Sequence, residues 1–358
     1  MNLAFLALCI LWLALIAYAV LGGADFGAGI WDLFAVGARR RYQRQLINQA
    51  IGPVWEANHV WLIFLIVGLF TVFPSAFASL SIALFIPLTI ALLGIVLRGA
   101  AFIFRTYELD ASSRSAEVWS RIFSTTSLIT PFFLGASAAA VASGQLAASN
   151  GTATTDLGAV WFSPFAITIG LMAVALCATL AAVYLTEEAN SYNEPDLANV
   201  YRTRALIAGA ITAVLGALGL LQSPFAAPQL WNGMVTRVLP LVVVIITMLI
   251  GLTTAVLLYR RRYGLARVVI ILEVAFLLGS WGLSQYPYLI PPRVTIANSA
   301  NDPSMILALL ISIAIGMAIL LPSLYYLFSI FKLPYPVPGK TAESEALPSE
   351  TSGQGPGV

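Results

Sequence analysis

The chain has 358 residues, 59% of them hydrophobic and only 9% charged, with a mean hydropathy of +0.90. A soluble domain carries about 25% charged residues, so this composition excludes a water-covered surface and predicts an integral membrane protein. The net charge of +2 is small, and its basic clusters are too short to read as a nucleic-acid footprint.

Crossing the hydrocarbon takes about 20 apolar residues in a helix. Nine stretches qualify, near residues 3–33, 52–73, 76–105, 121–144, 161–186, 203–222, 238–259, 265–286 and 304–331. Residues 1–20 resemble a signal peptide, with Ala17-Tyr18-Ala19 at the place of a cleavage site. No Lys or Arg precedes that run, and it continues apolar through Ile30, so it reads as a retained first span. Pro74 makes a tight turn, Pro224 and Pro228 open a loop, Pro287, Pro291 and Pro292 open another, and Pro303 restarts the last helix. No strand pattern stands out, which predicts an all-α bundle. Trp31, Trp119, Trp161, Tyr259, Tyr286 and Tyr288 fall near span ends, where interfacial belts form. Cys9 and Cys177 sit in apolar stretches without metal-ligand neighbours and read as inert buried thiols. Residues 333–358, rich in Pro, Gly, Ser and Glu, read as a disordered tail after a membrane domain of residues 1–332.

Lys and Arg set the orientation. With alternating spans, fifteen of the eighteen fall on one side, two on the other, and Arg98 lies inside the third span. That places the N-terminus outside and the C-terminus in the cytoplasm. Spans three and seven end alike, in Arg98…Arg105-Thr106-Tyr107 and Tyr259-Arg260-Arg261-Arg262-Tyr263. This is compatible with two four-helix repeats and a ninth helix, although any two inward-ending spans share these features.

The ionisable residues inside spans are the functional candidates, because a charge at membrane depth costs at least a few kcal/mol unless paired or hydrated. On span one, Gly22, Asp25, Gly29 and Asp32 share one helical face, and Gly23 and Gly27 form a small-xxx-small pair. Asp32 lies beside the arginine loop and reads as interfacial and solvated. Glu56 and His59 lie one turn apart on span two, at a depth comparable to Asp25. Arg98 adds a third helix at the same level, and Glu273 of span eight reads as a further member. Two readings compete. Arg98 pairs with Asp25 or Glu56 and the cluster only fixes packing, or the carboxylates form a proton path from the cytoplasm. His59 is the single histidine, so neither a bis-histidine haem nor a multi-histidine metal centre can come from this chain alone. As a lone residue it is either one ligand or a hydrogen-bonded core histidine. No phosphate loop, dinucleotide fingerprint or nucleophilic triad is present. On residues alone, a secondary transporter or ion channel is the competing class.

GGADFGAGIWDL, GPVWEANHVWLI, VLRGAAFIFR and WGLSQYPYLIPP stand in the order and spacing of one family. The sequence resembles subunit II of cytochrome bd-type quinol oxidases from about residue 3 to residue 332. The resemblance implies two four-helix bundles plus a ninth helix. It also implies a subunit I carrying haem b, haem d and the quinol-oxidising loop, and reduction of dioxygen to water by quinol without pumping. It implies a cytoplasmic-membrane location in a bacterium or archaeon, a small single-span accessory subunit, contact with membrane lipid, and a structural quinone or oxygen route within subunit II. It maps the family's proton-route acid onto Glu56, its first-span aspartate onto Asp25 and its third-span arginine onto Arg98, and it ranks His59 below the acids.

Overall fold

A computed structural model describes residues 3–35, 40–107, 114–146 and 157–331; the side chains of residues 41, 51–57, 106–107, 157, 159, 327–328 and 330–331 lie outside that description. The tail expected at 333–358 is likewise outside it. The chain divides into two units, Met1–Ala314 and Ile315–Val358. The first is described below; the second, where described, is the final part of the last helix.

The helices are α1 (Leu3–Leu33), α2 (Arg40–Val72), α3 (Pro74–Ala83), α4 (Phe85–Tyr107), α5 (Arg114–Ala142), the short α6 (Leu157–Trp161), α7 (Pro164–Ser191), α8 (Pro195–Ala226), α9 (Pro228–Val235), α10 (Val238–Tyr259), α11 (Tyr263–Gln285), the short α12 (Ile296–Ser299) and α13 (Pro303–Phe331). Five of them begin on proline, where the missing N–H would have no partner inside the helix. Eight helices among the described residues are long and apolar enough to cross a membrane, and up to nine do so if the bent pair Asn58–Val72 and Pro74–Ala83 counts as one span. That pair turns through 118° at Phe73, where Pro74 ends one helix and starts the next.

Several expected boundaries move. The third stretch is two helices broken at Leu84. Pro87 is the cause: its ring clashes with the carbonyl four residues back, at Ala83, the last residue of α3. The second helix starts at Arg40, so Arg40, Arg41 and Arg44, expected in a loop, occupy its first turns, while Arg39 lies outside the described residues. Pro224 lies inside α8, and the break comes at Ala227. Cys9 is exposed on α1 rather than buried. A small antiparallel pair also forms, β1 (Tyr288–Ile290) with β2 (Val294–Thr295), where Pro291 and Pro292 turn the chain.

Helix α1 packs on α2, α5 and α7, with α4 on α5, α7 on α8 and α10 on α11. The main core is rich in alanine, including Ala24, Ala28, Ala178, Ala181, Ala182, Ala205 and Ala208. Small residues bring helix backbones close where lipid supplies no hydrophobic drive. Two tryptophans expected in interfacial belts are buried: Trp31, whose Nε1 donates to the Ala178 carbonyl at 2.7 Å, and Trp161. The WGLSQYPYLIPP stretch is a clamp. Trp281 Nε1 donates to Gln285 Oε1 (2.9 Å), Gln285 Nε2 donates to the Leu289 carbonyl (2.9 Å), and the Trp12 and Trp281 rings lie 5.4 Å apart. It ties the end of α11 to α1.

Candidate functional site

The glycine-and-acid face of α1 meets α2, α4 and α5. Asp25 has its carboxylate fully buried, and Arg98 of α4 is 2% exposed. Arg98 Nη2 donates to Asp25 Oδ1 at 2.5 Å and to the Asp25 carbonyl at 3.0 Å, while its Nε donates to Ser127 Oγ of α5 at 3.1 Å. Asn58 Nδ2 of α2 donates to Asp25 Oδ2 at 3.3 Å. Helices α2 and α4 therefore converge on one carboxylate of α1, and α5 holds the arginine from behind. Room for them comes from glycine: a Cβ on Gly29 would overlap Ser127 Oγ, and one on Gly22 would lie 3.1 Å from Asn58 Oδ1.

A second layer repeats the arrangement two turns along. Asp32 follows Asp25 by seven residues on α1, Arg105 follows Arg98 by seven on α4, and Ser120 precedes Ser127 by seven on the opposed α5. At 1.5 Å per residue the layers are about 10 Å apart. Asp32 Oδ1 lies 3.1 Å from Arg105 Nη1 and 3.4 Å from Arg44 Nε, and Oδ2 accepts from Ser120 Oγ (2.9 Å) and Ser124 Oγ (3.1 Å). The expectation of a solvated, interfacial Asp32 is thus corrected: it is 1% exposed. The cause is Arg44 and Arg105, which lie over it from α2 and α4. Between the layers the Phe123 ring is stacked by both arginines, with Arg98 Cζ 4.7 Å and Arg105 Cζ 4.2 Å from its centroid. A guanidinium over an aromatic face is attracted by the ring quadrupole.

The other expected residues sit as follows. His59 lines a crevice between α1, α2 and α4 together with Asp25, Asn58 and Arg98. Glu56 belongs to α2, and its side chain is outside the described residues. Glu273 is not brought to the cluster. Its Oε2 accepts from Thr254 Oγ1 of α10 at 3.1 Å, across from Gly251. Asn58 and the α5 serines are site residues that intramembrane charge does not single out, and Arg44 and Arg105 are ligands of Asp32 as well as orientation signals. The spacing of Ser120, Ser124 and Ser127 on one face of α5 is the sign of them that the sequence carries.

We expect Asp32→Asn to lower the thermal unfolding midpoint by an amount corresponding to about 1–3 kcal/mol, because it strips Arg44 and Arg105 of their counter-charge. Arg44, 27% exposed, can rehydrate in part. Differential scanning fluorimetry in detergent measures this.

Over residues 3–331 the sequence matches the family described as cytochrome bd terminal oxidase subunit II. The chain belongs to that family. A Bacillus subtilis (strain 168) protein, provisionally named cytochrome bd menaquinol oxidase subunit II, is 24% identical over 335 residues, covering 92% of this chain and 95% of that protein. Cytochrome bd-I ubiquinol oxidase subunit 2 of Escherichia coli (strain K12) is 25% identical over 212 residues, covering 57% of this chain and 52% of its own length. The fold is similar to a chain of the bd oxidase from Geobacillus thermodenitrificans, with TM-score 0.71 and 24% identity, covering 94% of this chain and 100% of that one. With its set of apolar helices, this subunit II family member is a multi-pass protein of the bacterial cytoplasmic membrane.

The family name implies haem in the assembly, so the fit of this chain to haem bears on its role. His59 is its only histidine. The crevice at His59 is too tight to admit even a water molecule, and a porphyrin does not fit it. No group of three or more His, Cys, Asp or Glu side chains that could hold a metal occurs among the described residues.

Proposed function

We infer that this chain holds a haem-bearing subunit I in the membrane and delivers protons to it from the cytoplasm, as subunit II of an oxidase that passes electrons from quinol to dioxygen. Reducing one dioxygen to two waters consumes four protons, and a site inside the membrane receives them only along a polar route. The observation that carries this reading is the buried Asp25 carboxylate, held by Arg98 and Asn58 on the wall of a crevice at membrane depth. Intramembrane ionisable residues with assigned partners mark ion and proton pathways. In this reading Glu56, two residues before Asn58 on α2, takes protons from the cytoplasmic side, Asp25 receives them, and Arg98 is the charge partner that holds Asp25 in place. His59 lies beside Asp25 and is a third candidate for the route; Glu273 and Asp32 are secondary candidates. Nine spans with the N-terminus outside, two four-helix bundles plus a ninth helix, a membrane domain ending near residue 332 and a cytoplasmic tail complete the proposal. The asymmetric placement of Lys and Arg supports its orientation. Haem b and haem d belong to subunit I in this reading, with quinol and dioxygen as substrates of the complex. A structural quinone and a small single-span subunit are further expectations.

Family membership weighs against the transporter alternative. In the purified complex, Glu56→Gln and Asp25→Asn are each expected to cut quinol oxidase turnover and proton uptake by about a hundredfold, the lower range of general acid–base contributions. Haem content should be kept. Parent-like turnover and proton uptake in both variants would remove proton delivery from the role of this chain.

A further inference from the structure

The two arginine layers of α4 share one aromatic ring. Phe123 of α5 is fully buried, with Arg98 Cζ 4.7 Å and Arg105 Cζ 4.2 Å from its centroid. The two guanidinium carbons are therefore at most about 9 Å apart, and buried like charges at that spacing are little screened by salt. Phe26 also lies near Arg98, at 5.3 Å, but among the described residues Phe123 is the ring that both arginines share. Phe123 has a second hold on Arg98. Ser127 Oγ donates to the Phe123 carbonyl at 2.7 Å, which leaves the hydroxyl oxygen to accept from Arg98 Nε at 3.1 Å. Gly29 of α1 admits the ring, since a Cβ there would lie 3.2 Å from Phe123 Cε1. The charges of the two layers do not balance. Their described side chains bring three guanidiniums, of Arg44, Arg98 and Arg105, against the two carboxylates of Asp25 and Asp32. A ring face attracts a guanidinium without occupying a carboxylate.

We propose that Phe123 is a positioning residue for Asp25: the negative faces of its ring hold Arg98 and Arg105 each at its own carboxylate, and so keep Asp25 to a single guanidinium. The proposal rests on the proton-delivery reading above. A carboxylate in a proton route has to spend part of each cycle as the neutral acid, and nearby positive charge favours the ionised form. One arginine fixes such a group in place; a second holds it ionised and stops the exchange. Arg98 and Arg105 stand two turns apart on one side of α4, and both reach acids of α1. The helix backbone alone does not confine Arg105 to the outer layer. The ring does, because the guanidinium that leaves its face gives up the attraction of the quadrupole. Phe123 exchanges no proton; it acts through the two arginines.

The test puts mono-, di- and trifluorophenylalanine in place of Phe123 in the purified complex, in the parent and in Asp25→Asn, and reads turnover per haem. Fluorine withdraws charge from the ring faces while the ring keeps nearly its size. In the parent background turnover is expected to fall stepwise with each fluorine, reaching about tenfold for the trifluoro ring, the scale of a desolvated cation–π contact. In Asp25→Asn the series is expected to be flat, because residues that act through one another are not additive. Phe123→Leu, which removes the ring, should be at least as slow as the trifluoro form; if it does not assemble, the fluorinated rings decide the matter. A flat series in the parent beside a slow Asp25→Asn would reduce Phe123 to packing, overturning the proposal and leaving proton delivery standing. A stepwise fall of equal size in Asp25→Asn would mean that the ring acts elsewhere and would also overturn it. Parent turnover in Asp25→Asn would overturn both readings.

Discussion

Replacing Arg98 with leucine is expected to abolish recovery of a folded complex, the largest effect of any single substitution considered. Asp25 and Arg98 are buried to 0% and 2% side-chain exposure, and the guanidinium also contacts the Asp25 carbonyl, Ser127 and the Phe26 and Phe123 rings. Leucine leaves the Asp25 carboxylate with the Asn58 amide as its remaining hydrogen-bond donor among the described residues, in a medium that hydrates charge poorly. Removing one member of a buried pair costs about 3–5 kcal/mol, a large share of the stability of a marginally stable domain. The paired variant Asp25→Asn with Arg98→Gln removes both charges and keeps polar partners, so it should assemble better than Arg98→Leu alone. Yield of the complex after size-exclusion chromatography and its unfolding midpoint measure both. If Arg98→Leu assembles at parent yield, the pair does not hold these helices together.

Gly27→Ala is expected to be the next most damaging change, and Gly23→Ala a mild one. A Cβ on Gly27 would overlap the Cys177 carbonyl oxygen and lie 2.5 Å from its carbon, backbone atoms that cannot rotate away. Helices α1 and α7 would have to separate, stretching the Trp31–Ala178 hydrogen bond. Overpacking of this kind costs about 1–3 kcal/mol, occasionally more. On Gly23 the same atom would meet Cys177 Sγ and Leu180 Cδ1 at 3.6 Å, ordinary contact. Comparing the two unfolding midpoints separates a close backbone approach from a general intolerance of larger residues on this helix. Equal losses would contradict the contact geometry.

Residue order carries part of each of these outcomes and leaves part of it open. The pair Gly23 and Gly27 stands out as a spacing pattern, but only helix positions reveal that Gly27 meets backbone and Gly23 does not. Asp25 and Arg98 stand out as intramembrane charges at one level, with Glu56 an equal competitor for the arginine; the described pair is Asp25 with Arg98. Asp32 reads as hydrated when the arginines near it are taken only as markers of orientation, and it is their guanidinium groups that cover it. Glu273 joins the cluster on depth alone, and depth says nothing about which way a helix faces.

Local chemistry is enough to specify the membrane class, the helices and many of their proline-set ends, the asymmetry of positive charge, and the face of α1 on which the acids stand. Transfer of side chains into hydrocarbon, the proline ring and the helical repeat each act within a few residues of chain, so they can be read along it. Helix packing settles the rest: which guanidinium meets which carboxylate, that α5 lends its serines to both layers, that Phe123 separates them, and that Tyr18 and Asn58 face one crevice. Those outcomes depend on the rotation and register of helices far apart in the chain. They are set by how closely small residues let backbones approach, which no local pattern encodes.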